Sequence, residues 1–188
     1  HLTYFVFHRK RSDMFSTEDL NWHMSRQRSG VAKATISTSA NEPHVHAYPS
    51  SHAFDIVSFN LLAPVYKRLA SKNAQTGRRH REAGDYGLWS DRLSQTMDFF
   101  RNEIYKDTAI IGLQEYWLDT RYRRMFEEQF AQHGYEVHVM QRTGTKVDAV
   151  ALVIKKDVFE ICGSEHIDLC TFGDRVALLL WLRHQSTG

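Results

Sequence analysis

Apolar and polar positions change period several times along this chain, and each change predicts an element. Residues 54–60, Phe-Asp-Ile-Val-Ser-Phe-Asn, read as a mostly buried strand. Leu93, Met97, Phe100 and Ile104 recur at helical spacing, which predicts an amphipathic helix over 91–106. The run Ala109-Ile110-Ile111-Gly112-Leu113 is short and continuously apolar, as in a central strand. Asp119 or Thr120 can cap a second helix. Tyr122, Phe126 and Phe130 form its apolar stripe, and Gly134 can end it in a left-handed turn. Tyr135, Val137 and Val139 then alternate with Glu136, His138 and Met140, the period of a half-exposed strand. Further strands are predicted over 149–154, 158–161 and 176–182. The order is strand, helix, strand, helix, then several strands. It predicts an α/β protein with helices outside a sheet. No internal repeat is visible.

Residues 1–52 lack this patterning. They hold six of the eleven histidines (His1, His8, His23, His44, His46 and His52) and carry a small positive surplus, whereas the charges of the rest cancel. From Arg26 to Ala40 no acid occurs, and Ser, Thr and Ala dominate. Such a segment buries too little apolar surface to offset the entropy of ordering. The expectation for 1–52 is a disordered or processed leader, with a transit peptide as the targeting alternative. His44 and His46 form a surface pair without further ligands at metal spacing. The chain opens on His1 and ends soon after the 176–182 strand, so 53–188 is expected to be the first part of a truncated domain.

Composition narrows the function classes. With 42% hydrophobic and 24% charged residues, the chain is neither wholly disordered nor a disulfide-dense scaffold. Its longest apolar run, 176–182, is far short of the roughly 20 residues that span a bilayer. A formal charge of +2 does not by itself announce a nucleic-acid binder. Cys162 and Cys170 fit no zinc or redox spacing and read as two thiols in a reducing compartment. That favours an intracellular place, cytoplasm or nucleus, with an organelle as the alternative.

Two polar residues stand where candidate chemistry belongs. Asn60 ends the first strand, and Glu115 follows Leu113 by two residues at the end of the second. Strand C-terminal ends are where α/β sheets place ligand sites. A carboxylate beyond a buried strand is costly unless it is paired or binds a cation. One carboxylate beside an amide suits magnesium, which keeps several waters and takes few protein ligands. The alternative is an exposed loop glutamate and a turn-forming asparagine. Residues 67–81 contain Lys67, Arg68, Lys72, Arg78, Arg79 and Arg81 and no acid. They either rim the site and steer a polyanion such as RNA or form a solvated connection.

The residues also carry a family resemblance. Ser58-Phe59-Asn60-Leu61-Leu62-Ala63-Pro64 and Ile111-Gly112-Leu113-Gln114-Glu115 resemble the opening motifs of the DNase I-like endonuclease/exonuclease/phosphatase superfamily. Trp89 with Arg92, Gly134-Tyr135, Val147-Asp148-Ala149-Val150-Ala151 and Gly173-Asp174-Arg175-Val176-Ala177 continue the match in order. It covers about 53–183 and is similar to the Ccr4/nocturnin-like group. It is fullest toward a plant-type branch, some members of which carry EF-hands.

That resemblance implies a four-layer α/β sandwich, of which this chain supplies the N-terminal half: mainly one sheet and its helices. An exposed apolar face, prone to aggregation, is then expected where the second sheet packs. It implies that Glu115 holds Mg²⁺ or Mn²⁺, that Asn60 orients phosphate and supports the metal, and that Asp148 stands beside them, orienting polar groups. Lys72, Arg78, Arg79 and Arg81 are then candidate substrate contacts, and Arg175 a structural ion pair or a phosphate contact. Ala149 stands where the family has glycine. The family's later Asp-x-Asn and Asp-His motifs do not occur after Val176. The implied activity is a metal-dependent phosphoric ester hydrolase acting on RNA or another phosphodiester, most closely a 3′-to-5′ deadenylase-like exonuclease. Sphingomyelinase or small-phosphoester phosphatase activity is the alternative, as is an inactive binding module.

Overall fold

The computed structural model describes residues 31–36, 54–170 and 174–185. Strands β1 (Val31–Ile36), β2 (Phe54–Asn60), β5 (Thr108–Trp117), β6 (Tyr135–Gln141) and β7 (Asp148–Lys155) form one sheet in the order β1-β2-β5-β7-β6. β2 and β5 run parallel, and the other neighbours are antiparallel. Strand β1 falls within the segment expected as a leader; the remainder of 1–52, with the His44 and His46 pair, lies outside the described residues.

A parallel pair needs a crossover, and helix α1 (Tyr86–Phe99) provides it. The helix starts earlier than its apolar spacing predicts because Asp85 caps it, accepting from the Leu88 backbone N–H. One π-helical turn, Phe100–Ile104, extends it and keeps Phe100 and Ile104 inward. Helix α2 (Thr120–Gln132) is capped by Asp119, which accepts from Arg121 and Tyr122. Gly134 stands at φ 80° just past its end, as the left-handed turn requires.

Both helices cover one face of the sheet with a core rich in aromatics, including Trp89, Phe100, Tyr122, Phe126 and Phe130. On the other face lies a hairpin of β8 (Phe159–Cys170) and β9 (Arg175–His184). Val176, Leu178, Leu180 and Leu182 on β9 pack against Ile56, Ile110, Leu152 and Ile154. This corrects the expectation of a bare apolar face: the chain carries its own covering hairpin. Among the described residues the exposed large apolar side chains are Leu62, Tyr86, Leu88, Val147 and Leu169. They sit in loops and at element ends, not on the sheet face.

The basic run is also ordered. Residues β3 (Arg68–Lys72) and β4 (Arg79–Arg81) form a small separate hairpin between β2 and α1. A 3₁₀ turn, Glu82–Gly84, joins it to the helix. No helix of the described residues is long and apolar enough to cross a membrane.

Candidate active site at the strand ends

The parallel pairing of β2 and β5 sets their C-terminal ends side by side, with Asn60 in register with Gln114. Glu115 follows immediately. Its φ is 56°, inside a strand, and the β5–β7 register shifts between Leu113 and Tyr116. A left-handed glutamate costs about 1–2 kcal/mol, and a bulge re-aims a side chain beside a site. Strain of this kind persists where the surroundings enforce it, and it clusters at functional sites. Glu115 is buried, at 5% exposure, so it is no ordinary loop residue.

Asn60 meets it from the exposed end of β2. Its Nδ2 donates to Glu115 Oε1 at 3.2 Å, and its Oδ1 accepts from the Leu62 N–H at 2.8 Å. The two bonds together fix which way the amide points. Leu62 itself stands at φ 50°.

Asp148 opens β7, is almost fully buried and lies opposite Trp117 of β5. Tyr66 donates its hydroxyl to Asp148 Oδ1, and Arg142 Nη1 lies 3.3 Å from Oδ2. Burial pushes the Tyr66 hydroxyl up to about 12. The hydrogen bond to Asp148 and the charge of that carboxylate add to the rise, Arg142 opposes it, and Glu115 adds a further part. The phenol therefore stays a proton donor at neutral pH and feels both carboxylates. Arg142 also donates through Nε to the Asp174 carbonyl at 3.0 Å, and Lys146 Nζ pairs with Asp174 Oδ2 at 3.6 Å. This ties the turn before β7 to the turn before β9. A β-carbon on Gly144, at φ 68°, would stand 2.7 Å from Asp174 Oδ1, so the close approach needs glycine. Arg175 is exposed. Ala149 is fully buried within the β7 ladder, opposite Tyr116 and Gln141, so its methyl group is accommodated.

The structure thus joins Asn60 to Glu115 and places Asp148 between Tyr66 and Arg142. Lys72, Arg78 and Arg79 stand exposed on the β3–β4 hairpin. Arg81, exposed too, donates to the Tyr66 carbonyl at 2.8 Å. Sequence reasoning missed Tyr66 and Arg142. It also missed Glu82, the first acid after that run.

The donor set fits a hard divalent ion. It offers a buried carboxylate with an amide at its side, and no group of three or more His, Cys, Asp and Glu occurs among the described residues. A carboxylate with an amide beside it could hold a hard divalent ion that takes few protein ligands and keeps several waters. Glu115 would hold the ion, with Asn60 beside it.

No protein-family model matches the chain. It is 32% identical over 127 residues to an uncharacterized calcium-binding protein of Arabidopsis thaliana, covering 67% of this chain and 25% of that protein. The chain thus spans about a quarter of that relative's length. Among solved structures, it resembles ANGEL2, a 2′,3′-cyclic phosphatase, at 23% identity and a TM-score of 0.47, over 52% of this chain and 29% of that one. It resembles the human nocturnin catalytic domain with bound sulfate at 18% identity and a TM-score of 0.51, over 71% of this chain and 45% of that one. At that identity the nocturnin match establishes a shared fold, over less than half of that structure. Over the matched part the chain shares the DNase I-like α/β fold of the nocturnin catalytic domain.

Proposed function

We propose that this chain is the metal-holding part of a phosphoesterase, and that the protein completing the domain is a Mg²⁺- or Mn²⁺-dependent 3′-to-5′ RNA exonuclease of the deadenylase-like kind. One observation carries the reading. Glu115 is buried, bulged out of its strand at positive φ, and met by the Asn60 amide at 3.2 Å. A bound divalent ion would polarise a phosphoryl oxygen and offset charge developing there. In this reading Glu115 holds the ion, Asn60 orients the phosphate beside it, and Asp148, fixed by Tyr66 and Arg142, keeps the neighbouring polar groups in place. The exposed cations Lys72, Arg78, Arg79 and Arg81 follow Asn60 within about twenty residues of chain and present positive charge to a polyanion.

Two measurements test this. Titrating Mn²⁺ into this chain should give saturable binding that Glu115→Gln weakens at least about tenfold, the scale of losing a metal-site group. Incubating the completed protein with Mg²⁺ and poly(A) should release nucleotides from the 3′ end. Hydrolysis of sphingomyelin or an inositol phosphate with RNA untouched would replace the substrate; no divalent binding at all would sink the site.

A further inference from the structure

Glu82 is 1% exposed, yet sequence patterning gives no hint that it is buried. Backbone bonds seat it under the loop that leaves β2: its own N–H donates to the Lys67 carbonyl at 3.0 Å, and Ala83 N–H to the Pro64 carbonyl at 3.1 Å. Its carboxylate receives Lys67 Nζ at 2.7 Å and Arg92 through Nε and Nη2. Arg92 also donates to the same loop. Nη1 reaches the Leu61 carbonyl at 2.7 Å and Nη2 the Leu62 carbonyl at 2.8 Å. A guanidinium engaged in this way is a brace, with its planar fork matched to one carboxylate and two carbonyls.

The braced residues are those that set the Asn60 amide. Leu61 donates its N–H to the Gln114 carbonyl at 2.9 Å. Leu62 adopts φ 50°, a conformation that a leucine holds only when its surroundings enforce it. In that conformation its N–H reaches Asn60 Oδ1. The amide's other end then faces Glu115. Across this turn the adjacent carbonyls of Leu61 and Leu62 converge on the Arg92 guanidinium. If the cation withdraws and the turn relaxes, the Leu62 N–H leaves Oδ1, and only the 3.2 Å bond to Glu115 still orients the amide.

The geometry points to Glu82 and Arg92 as positioning residues that lock the Asn60 amide toward Glu115 through the left-handed turn at Leu62. The inference deepens the proposed metal site and rests on it for its functional meaning. Lys67 completes the brace from the loop side, and neither Glu82 nor Arg92 needs to touch substrate.

The test uses isotope-labelled chain carrying Arg92→Lys or Glu82→Gln. Lysine cannot span the carboxylate and both carbonyls, and glutamine keeps the shape of Glu82 without its charge. Amide exchange at Leu62, the Asn60 side-chain amide resonances and Mn²⁺ affinity are read together. Arg92→Lys is expected to raise Leu62 exchange about tenfold, leave the Ile111 and Val153 amides of the sheet unchanged, and weaken Mn²⁺ about tenfold, as loss of an outer partner of a metal site does. Glu82→Gln should act in the same direction by a smaller factor. Unchanged Leu62 exchange in both variants overturns the inference. So does Leu62 exchange that rises no more than exchange at Ile111 and Val153, which marks a purely structural ion pair, or a loosened Leu62 with unaltered Mn²⁺ affinity. A parent chain that binds no Mn²⁺ while the variants still loosen Leu62 and shift the Asn60 amide supports the brace and fails the metal reading alone.

Discussion

The two hairpins of this protein are held by different physics. β8–β9 is long, buries one face of β9 against the sheet, and carries an opposite-charge pair across its strands, Arg183 with Glu160 at 2.6 Å. β3–β4 is short and almost wholly exposed, and its register sets Arg68 opposite Arg81 and Lys72 opposite Arg79. Like charges directly across a ladder are unfavourable, and an isolated two-stranded hairpin is marginal in water. The small hairpin is instead fastened at its base, by Arg81 on the Tyr66 carbonyl and by the Lys67–Glu82–Arg92 brace. Its tip is ordered by Asn73, whose side-chain oxygen accepts from Gln75 and Thr76. The comparison teaches that burial supports one hairpin as part of the core. The other is a tethered projection that carries an unrelieved cation surplus.

Removing burial from β8–β9 should have the largest effect. Leu180→Ala deletes a fully buried side chain and should cost about 2–5 kcal/mol in urea unfolding. A loss below about 1 kcal/mol would mean that the hairpin is not core.

Breaking the base of β3–β4 comes next. Burial alone would raise the Glu82 carboxyl, but hydrogen bonds from Arg92 and Lys67, with their charges, hold it below its ordinary value of 4.5. A lowered carboxyl stabilises the fold above its unfolded pKa, and that contribution disappears as pH falls through the folded value. Glu82→Gln should therefore cost about 1.5–3 kcal/mol at neutral pH, the scale of hydrogen bonds to a charged group. It should also flatten the loss of stability below pH 4.5, as read in unfolding curves across pH.

Arg81→Ala removes one bond to the Tyr66 carbonyl and should cost about 0.5–1.5 kcal/mol. Amide exchange should quicken in residues 68–81 while β5 and β7 stay protected. The smallest effect has the opposite sign. Arg79→Glu replaces a like-charge pair with Lys72 by an opposite one and should stabilise by about 0.2–1 kcal/mol. The same change should weaken binding to poly(A) and lower its salt dependence; stabilisation with unchanged binding would separate the hairpin from substrate.

Much of the fold was legible because its elements are patterned. The stripe Tyr122, Phe126 and Phe130 and the β6 alternation appear where their period places them. The β8 strand was read only at its start, over 158–161, because Gly163, Ser164, Glu165 and His166 hide it; pairing with β9 carries it to Cys170. Asn60 and Glu115 were visible as polar residues closing apolar runs. Tyr66 and Glu82 were not, since one resembles a flank and the other a solvated acid. Their roles come from contacts across up to 82 positions of sequence, as between Tyr66 and Asp148.

The sequence by itself determined the order of β2, α1, β5, α2, β6, β7 and β9, the Asp119 cap of α2, Asn60 and Glu115 as polar residues following apolar runs, and the cation surplus of 67–81. Those follow from local period, capping chemistry and composition, which act over a few residues. The sequence set Glu115 at a strand end, whereas β5 runs on to Trp117. Only the tertiary structure decided that β8–β9 covers the sheet, that β5 bulges at a left-handed Glu115, and that Glu82 lies buried beneath the Asn60 loop. Each of those depends on which distant groups share a low-dielectric space, and only the folded chain brings them together.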